Sequence, residues 1–174
     1  MSIPLDKKYS IIYADPPWLY NDKGGRSGAE KHYVCTSTDE MCKWEIPAEE
    51  NSVCLMWCTY PQLKEGLKLI EAWGFKFKTV AFTWVKTNKN GSVYMGMGWH
   101  TRANAEICLL GVKGKGLKRI NAGIPNTQLH PREDHSKKPD AFRKSIERLY
   151  GNVPRIELFA RQKADGWMAW GNEV

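Results

Sequence analysis

Short apolar runs of strand length, each stopped by Pro, Gly or polar residues, alternate along the chain with stretches of helical periodicity. Tyr9 to Ala14 (YSIIYA) is β-branched and aromatic. It ends at Asp15-Pro16-Pro17, where two prolines cannot continue a ladder. Ser52 to Cys58 reads as a second, buried strand. Pro61 then opens a helix to about Trp73, with Leu63, Leu67 and Ile70 on one face and Gly74 as the stop signal. Phe75 to Trp84 alternates apolar with Lys or Thr and predicts a strand, as does Ala105 to Val112. Pro139 starts a helix at its first position, with Phe142, Ile146 and Leu149 on one face. Arg155 to Ala160 (RIELFA) and Gly166 to Trp170 read as the last strands. Within TSTDEMCKW, Ser37 or Thr38 is a helix N-cap followed by acids in the first turn. Residues 19–37, 86–102 and Lys113 to Asp134 read as loops, the first carrying Gly24-Gly25-Arg26-Ser27-Gly28.

Strands alternating with helices predict an α/β fold: a parallel or mixed sheet covered by helices on both faces. In such sheets ligands bind outside the carboxyl ends of the strands. Each strand end is therefore a candidate site, and Asp15-Pro16-Pro17-Trp18 is the most unusual of them.

Composition narrows the setting. A chain of 174 residues, 42% apolar and 26% charged, fits one domain with its own core, not disorder or a repeat array. The longest apolar run, Val53 to Cys58, is far too short to span a membrane, and the first eight residues hold no apolar stretch of signal-peptide length. The five cysteines (Cys35, Cys42, Cys54, Cys58, Cys108) form no C-x-x-C pair, so they read as reduced, mostly buried thiols of an intracellular, cytoplasmic protein. No metal site is expected. The net charge of +7 hints at a polyanionic partner, nucleic acid being the commonest. Eight tryptophans are more than a core of this size needs, and some are candidates for stacking on a flat ligand.

At the first strand end, a carboxylate precedes two backbone carbonyls held by prolines. An exocyclic amine on adenine is a poor nucleophile because its lone pair is delocalised into the ring. Acceptors on its two N–H groups favour a more pyramidal nitrogen. The Asp15 carboxylate and the Pro16 carbonyl can supply both, preorganised by the fixed φ of Pro16 and Pro17, and Trp18 offers a face for the base. The structural alternative is a rigid turn with a buried Trp.

The chain here resembles the N6-adenine methyltransferase family named after the seventy-kilodalton subunit of mRNA N6-adenosine methyltransferase. Besides DPPW, the similar segments are His32-Tyr33, TSTDEMCKWEIP, WVKTN (Trp84 to Asn88), Glu106, LLGVKG (Leu109 to Gly114), HSKKPD (His135 to Asp140), IELFAR (Ile156 to Arg161) and WGNE (Trp170 to Glu173). The resemblance implies one Rossmann-like methyltransferase domain over residues 1–174, with the catalytic strand first and the cofactor strand last. It implies S-adenosylmethionine as cofactor and Asp15, Pro16, Pro17 and Trp18 as the catalytic corner. Cofactor contacts then fall on Asp15, Lys138, Phe159, Arg161, Asn172 and Glu173. Lys138 would pair with the methionine carboxylate at a helix N-terminus, and Arg161 would donate to the ribose hydroxyls. Gly171 would permit close backbone approach. Gln162-Lys163-Ala164 departs from the His-Asn of eukaryotic members, and contacts to the cofactor's adenine stay unassigned.

For the nucleic acid, Lys113, Lys115, Lys118 and Arg119, with Lys86, Lys89 and Arg102, are candidates to border a phosphate track. Lys23 and Arg26 belong to a loop placed to close over an unstacked base. The expected reaction is methylation of adenine N6 in nucleic acid, DNA ahead of RNA, by a chain that is a monomer or a homodimer. Two other readings stay open: a non-catalytic nucleic-acid-binding subunit, and a methyltransferase acting on another amine.

Overall fold

A computed structural model describes residues 3, 6–19, 36–98, 100–133 and 137–174. The predicted loop with Lys23 and Arg26, His32-Tyr33, Cys35 and His135-Ser136 lie outside the described residues. Among those described, seven strands form one sheet: β1 Tyr9–Ala14, β2 Ala48–Cys58, β3 Lys76–Thr87, β4 Ala105–Lys113, β5 Thr127–Pro131, β6 Arg155–Leu158 and β7 Met168–Trp170. The helices are α1 Thr38–Met41, α2 Leu63–Ala72 and α3 Asp140–Tyr150. The spatial order is β5-β3-β4-β2-β1-β6-β7. β4 pairs antiparallel with both β2 and β3, and the other pairings are parallel. Six strands therefore run one way and β4 runs back. This is the expected α/β, Rossmann-like layering.

Two-residue alternation divides the core. Ile12, Ala14, Cys54, Met56, Leu109 and Ile156 face one side, where Met41 of α1 and Leu69 and Ile70 of α2 cover them. Ile11, Tyr13, Leu55, Trp57 and Cys108 face the other, under Phe142, Ile146 and Tyr150 of α3. Trp57 is fully buried and its indole N–H donates to the Tyr13 hydroxyl at 2.7 Å, which satisfies its polar atom inside the core. Cys54, Cys58 and Cys108 are buried free thiols, and Cys42 is half-buried. No described helix is long and apolar enough to cross a membrane.

Several boundaries differ from expectation for identifiable reasons. Ser37 is the N-cap of α1, accepting from the Glu40 N–H at 3.2 Å. Pro61 starts a 3-10 turn over Tyr60–Gln62, and α2 follows it. The buried face of α2 is Gly66, Leu69 and Ile70, not Leu63, which is exposed. Gly66 is there because α2 lies against Leu109 and Cys58 so closely that a Cβ would sit 3.0 Å from the Leu109 side chain. β3 continues to Thr87, past the predicted loop start. The stretch Lys113 to Asp134 is not all loop: it holds β5, a short edge strand whose alternation in TQLHP is too brief to register. RIELFA stops as a strand at Leu158, and the last strand spans only Met168–Trp170.

Candidate active site

The carboxyl ends of β1, β2, β6 and β7 lie side by side, and the reversed β4 brings its amino end to the same edge. The start of α3 adds Lys138. Together they enclose a cavity of about 270 Å³. Its lining contains Asp15, Pro16, Pro17 and Trp18 on one side and Lys138, Phe159, Arg161, Asn172 and Glu173 on the other. Residues as far apart as 15 and 173 meet because parallel strands all end at one edge. The helix that delivers Lys138 is held by a buried pair: the Arg143 guanidinium donates to both oxygens of Glu157 on β6, at 2.6 and 3.0 Å.

At the end of β1 the backbone turns tightly, with the Trp18 N–H donating to the Pro16 carbonyl at 2.9 Å. A carbonyl carries two lone pairs, and this turn uses one of them. The Thr36 N–H donates to the Pro17 carbonyl at 3.2 Å and ties the corner to the residue before the N-cap of α1. Trp18 departs from expectation. It is only 4% exposed, and its indole N–H donates to the Trp57 carbonyl at 3.1 Å. An open stacking platform is therefore ruled out for Trp18 in this conformation. The indole is pinned edge-on into the core, and it meets the cavity as part of a packed wall.

Four charged side chains run across the floor. Lys138 Nζ lies 2.7 Å from Asp15 Oδ2 and 3.2 Å from Glu106 Oε2, and Lys86 Nζ lies 2.5 Å from Glu106 Oε1. Signs alternate along the chain Lys86, Glu106, Lys138, Asp15. Burial pushes the Asp15 carboxyl above its ordinary value, with Lys138 opposing that shift. Burial also raises Glu106, but Lys138 and Lys86 together outweigh it and hold this carboxyl below its ordinary value. Burial lowers Lys138, and the two carboxylates more than reverse the effect, so it is a firmly held cation. The Cys58 thiol beside this group is pushed up to about 12 by burial, which makes it a neutral wall.

The opposite wall is aromatic. The Trp44 ring stacks on Phe159 with centroids 5.6 Å apart, and Trp170 meets each of them edge-on. Phe159 has φ of +61°, a left-handed conformation that a bulky side chain adopts only when its surroundings impose it. The kink ends β6 and turns the phenyl ring into the cavity. Gly171 allows the neighbouring contact: a Cβ there would lie 2.3 Å from the Ala160 carbonyl oxygen. Its close approach is thus to the chain's own backbone at the end of β6. Sequence reading missed Trp44, Thr36 and Thr59 as lining residues, and it gave Glu106 no role. Glu106 did carry a signal, as the one acid in the apolar run of β4. Trp44, in the connection between α1 and β2, stood inside the family-like segment TSTDEMCKWEIP, but nothing local gave it a role.

The predicted basic track is divided. Lys86, near the end of β3, and Arg102, before the start of β4, are on the sheet edge that holds the cavity without lining it, Arg102 exposed and Lys86 turned onto Glu106. Lys113, Lys115, Lys118 and Arg119 follow the far end of β4, where Lys113 pairs with Ser52 and the Lys115 N–H donates to Asn51. The nine residues of β4 separate the two groups by roughly 27 Å at about 3.3 Å per residue. The two groups therefore lie at opposite ends of β4, and Lys113 to Arg119 do not border the cavity. Arg132, just past β5 on the same carboxyl edge of the sheet but two strands from β4, stacks 3.6 Å over the Tyr94 ring.

A match to the MT-A70 family covers residues 9–173. The type II methyltransferase M.MunI of Mycoplasma is 33% identical, over 97% of this chain and 78% of that protein. A putative N(6)-adenosine-methyltransferase MT-A70-like protein of Medicago truncatula is 31% identical over 96% of this chain, and the human N(6)-adenosine-methyltransferase catalytic subunit METTL3 is 29% identical over 100% of this chain. The chain spans only 26% and 30% of those two plant and human proteins. With the family match running from the first strand to the residue after Asn172, and the DPPW corner at the carboxyl edge of a Rossmann-like sheet, the chain belongs to the MT-A70 family.

Proposed function

We propose that the chain transfers a methyl group from S-adenosylmethionine to the N6 amine of adenine in nucleic acid, with DNA as the preferred substrate, and that residues 1–174 form one methyltransferase domain. The observation that carries this reading is the meeting of Asp15, the Pro16 carbonyl, Lys138, Arg161 and Asn172 around one cavity. Family membership and the similarity to the type II methyltransferase M.MunI, covered over 78% of its length, support it.

The cavity suits this cofactor chemically. Lys138 and Asp15 offer opposite charges to a zwitterionic amino-acid end. Phe159, Trp44 and Trp170 offer aromatic surface to a flat ring and to a cation. Arg161, Asn172 and Glu173 offer donors and acceptors to hydroxyls. S-adenosylmethionine supplies, when bound, a methyl group on a positively charged sulfur. The protein's contribution is positioning and electrostatics. Asp15 and the remaining lone pair of the Pro16 carbonyl accept from the two N–H groups of the target amine. Pro17 and the buried Trp18 hold that carbonyl still. Lys138 keeps Asp15 ionised against its burial, so that a carboxylate faces the amine. An amine inside a duplex is out of reach of a corner this recessed, so the base must be unpaired or flipped. Arg102, exposed before β4, and Arg132, past β5, lie on the same edge of the sheet as the cavity and are the phosphate partners this reading assigns.

The test is mass spectrometry of nucleosides from DNA and from RNA incubated separately with the protein and S-adenosylmethionine. N6-methyladenine in DNA, with less in RNA, is the expected result. A methylated protein with unmodified nucleic acid would transfer the assignment to another amine. No cofactor binding by calorimetry would leave a non-catalytic subunit.

A further inference from the structure

Lys86 was expected to contact phosphate, but its surroundings assign it otherwise. It is the penultimate residue of β3, its ammonium lies 5.1 Å from the Trp84 ring centroid, and it is 2.5 Å from Glu106 Oε1. Glu106 spends its two oxygens separately, one on Lys86 and one on Lys138. Lys138 in turn sits closer to Asp15, at 2.7 Å, than to Glu106, at 3.2 Å. All four side chains are at least three-quarters buried. In such a place each charge depends on its neighbours, and an uncompensated one is costly.

We propose that Lys86 is a positioning residue: by pairing with the outer oxygen of Glu106 it leaves Lys138 drawn toward Asp15, and so sets the carboxylate that grips the target amine. The inference rests on the proposed role of Asp15. Its physical basis is competition for one ammonium. Two carboxylates flank Lys138, and Lys86 neutralises one of them from behind. Without Lys86, Glu106 either pulls Lys138 toward itself or takes up a proton. Either event changes the field at Asp15. Among the described residues, the other titratable groups facing this cluster are Arg161, which favours ionised Asp15, Glu157, which is paired with Arg143, and the Cys58 and Cys108 thiols, both raised by burial. A phosphate contact is a different physical claim, since it requires the ammonium to leave Glu106 for solvent.

The two are separated by Lys86→Met and Lys86→Arg. Carbon-13 NMR titration of the Glu106 and Asp15 carboxyls, assigned with Glu106→Gln and Asp15→Asn, needs no substrate. In Lys86→Met the Glu106 midpoint is expected to rise by about one pH unit or more, as loss of an adjacent cation requires. With an adenine-containing oligonucleotide, kcat should fall about tenfold, the rate equivalent of one pH unit of lost charge stabilisation, and its acidic limb should move. KM and its salt dependence should stay unchanged. Lys86→Arg, which can still pair with a carboxylate, should restore the midpoint and most of kcat. Should Lys86→Met fail to fold, Lys86→Gln offers a shorter, neutral donor, and the same shift is expected. The proposal is overturned by an unmoved Glu106 midpoint. It is equally overturned by a loss confined to KM with a salt slope reduced by about one, the signature of a phosphate contact. If the unaltered protein methylates no nucleic acid, the proposed function fails by itself, and the Glu106 titration alone then decides whether Lys86 holds Glu106.

Discussion

Replacing Lys138 by Met tests the electrostatics of the cavity floor most directly. The Lys138 side chain is 9% exposed, and its ammonium lies 2.7 Å and 3.2 Å from the carboxylates of Asp15 and Glu106, whose side chains are 20% and 11% exposed. Met keeps most of the stem and removes the charge, leaving Asp15 and Glu106 without their shared cation. Breaking a buried pair from one side costs about 3–5 kcal/mol. A domain has about 5–15 kcal/mol in total, so the variant should still fold. At an m-value of about 2 kcal/mol/M, the urea midpoint at pH 7 should fall by roughly 2 M. The pH dependence identifies the cause. In the unaltered protein Glu106 has a lowered carboxyl pKa, so its contribution is present above the ordinary value and fades as pH falls. In Lys138→Met both carboxyls are raised, so the penalty appears as pH climbs through those raised values. As pH falls into the ordinary carboxyl range, the raised acids of the variant become neutral, whereas Glu106 of the unaltered protein, held below that range, keeps its ion pair with Lys138 to lower pH. The penalty in the variant is relieved on the way, so the stability difference should narrow steadily toward the acid end. Urea unfolding followed by tryptophan fluorescence from pH 3.5 to 8 measures it. A loss of constant size across that range would refute the electrostatic account and assign the effect to packing of the side-chain stem. A loss under about 1 kcal/mol at pH 7, the scale of an exposed pair, would show that the floor is solvated.

Three further outcomes are expected. Asp15→Asn should retain the fold, since it removes a carboxyl raised by burial, yet lower methyl transfer by about 10²-fold or more, on the scale of losing one preorganised charge-stabilising group; circular dichroism and a radiolabelled-methyl assay check both halves. Gly171→Ala forces the ends of β6 and β7 apart, because the added Cβ would lie 2.3 Å and 2.7 Å from backbone atoms of Ala160; a destabilisation of about 1–3 kcal/mol and weaker S-adenosylhomocysteine binding by calorimetry are expected. Replacing Lys115, Lys118 and Arg119 together by Ala should leave the salt slope of oligonucleotide binding unchanged, whereas Arg102→Ala with Arg132→Ala, on the sheet edge that holds the cavity, should reduce it by about two.

The pattern of strands and helices was legible in the chain because burial in a two-faced sheet writes itself as alternation, and because Pro16-Pro17, Gly74 and Pro139 punctuate it. The chemical types at the cavity were legible too. Asp15, Lys138, Arg161 and Asn172 all stand at strand ends or a helix start, which is where such sheets place ligands. The direction of β4 was not legible, since apolar alternation reads the same forwards and backwards. That direction alone decided that Glu106 reaches the cavity and that Lys113 to Arg119 do not. Nor was the fate of Trp18 and Lys86 legible. A tryptophan after two prolines is equally a platform or a wedge, and a lysine at a strand end is equally solvated or paired. Only the neighbours settle such cases, here the Trp57 carbonyl and the Glu106 carboxylate, which come from strands distant in sequence. Local pattern determines which elements form, whereas the partners of a polar group are set by which strand lies beside it and which way that strand runs.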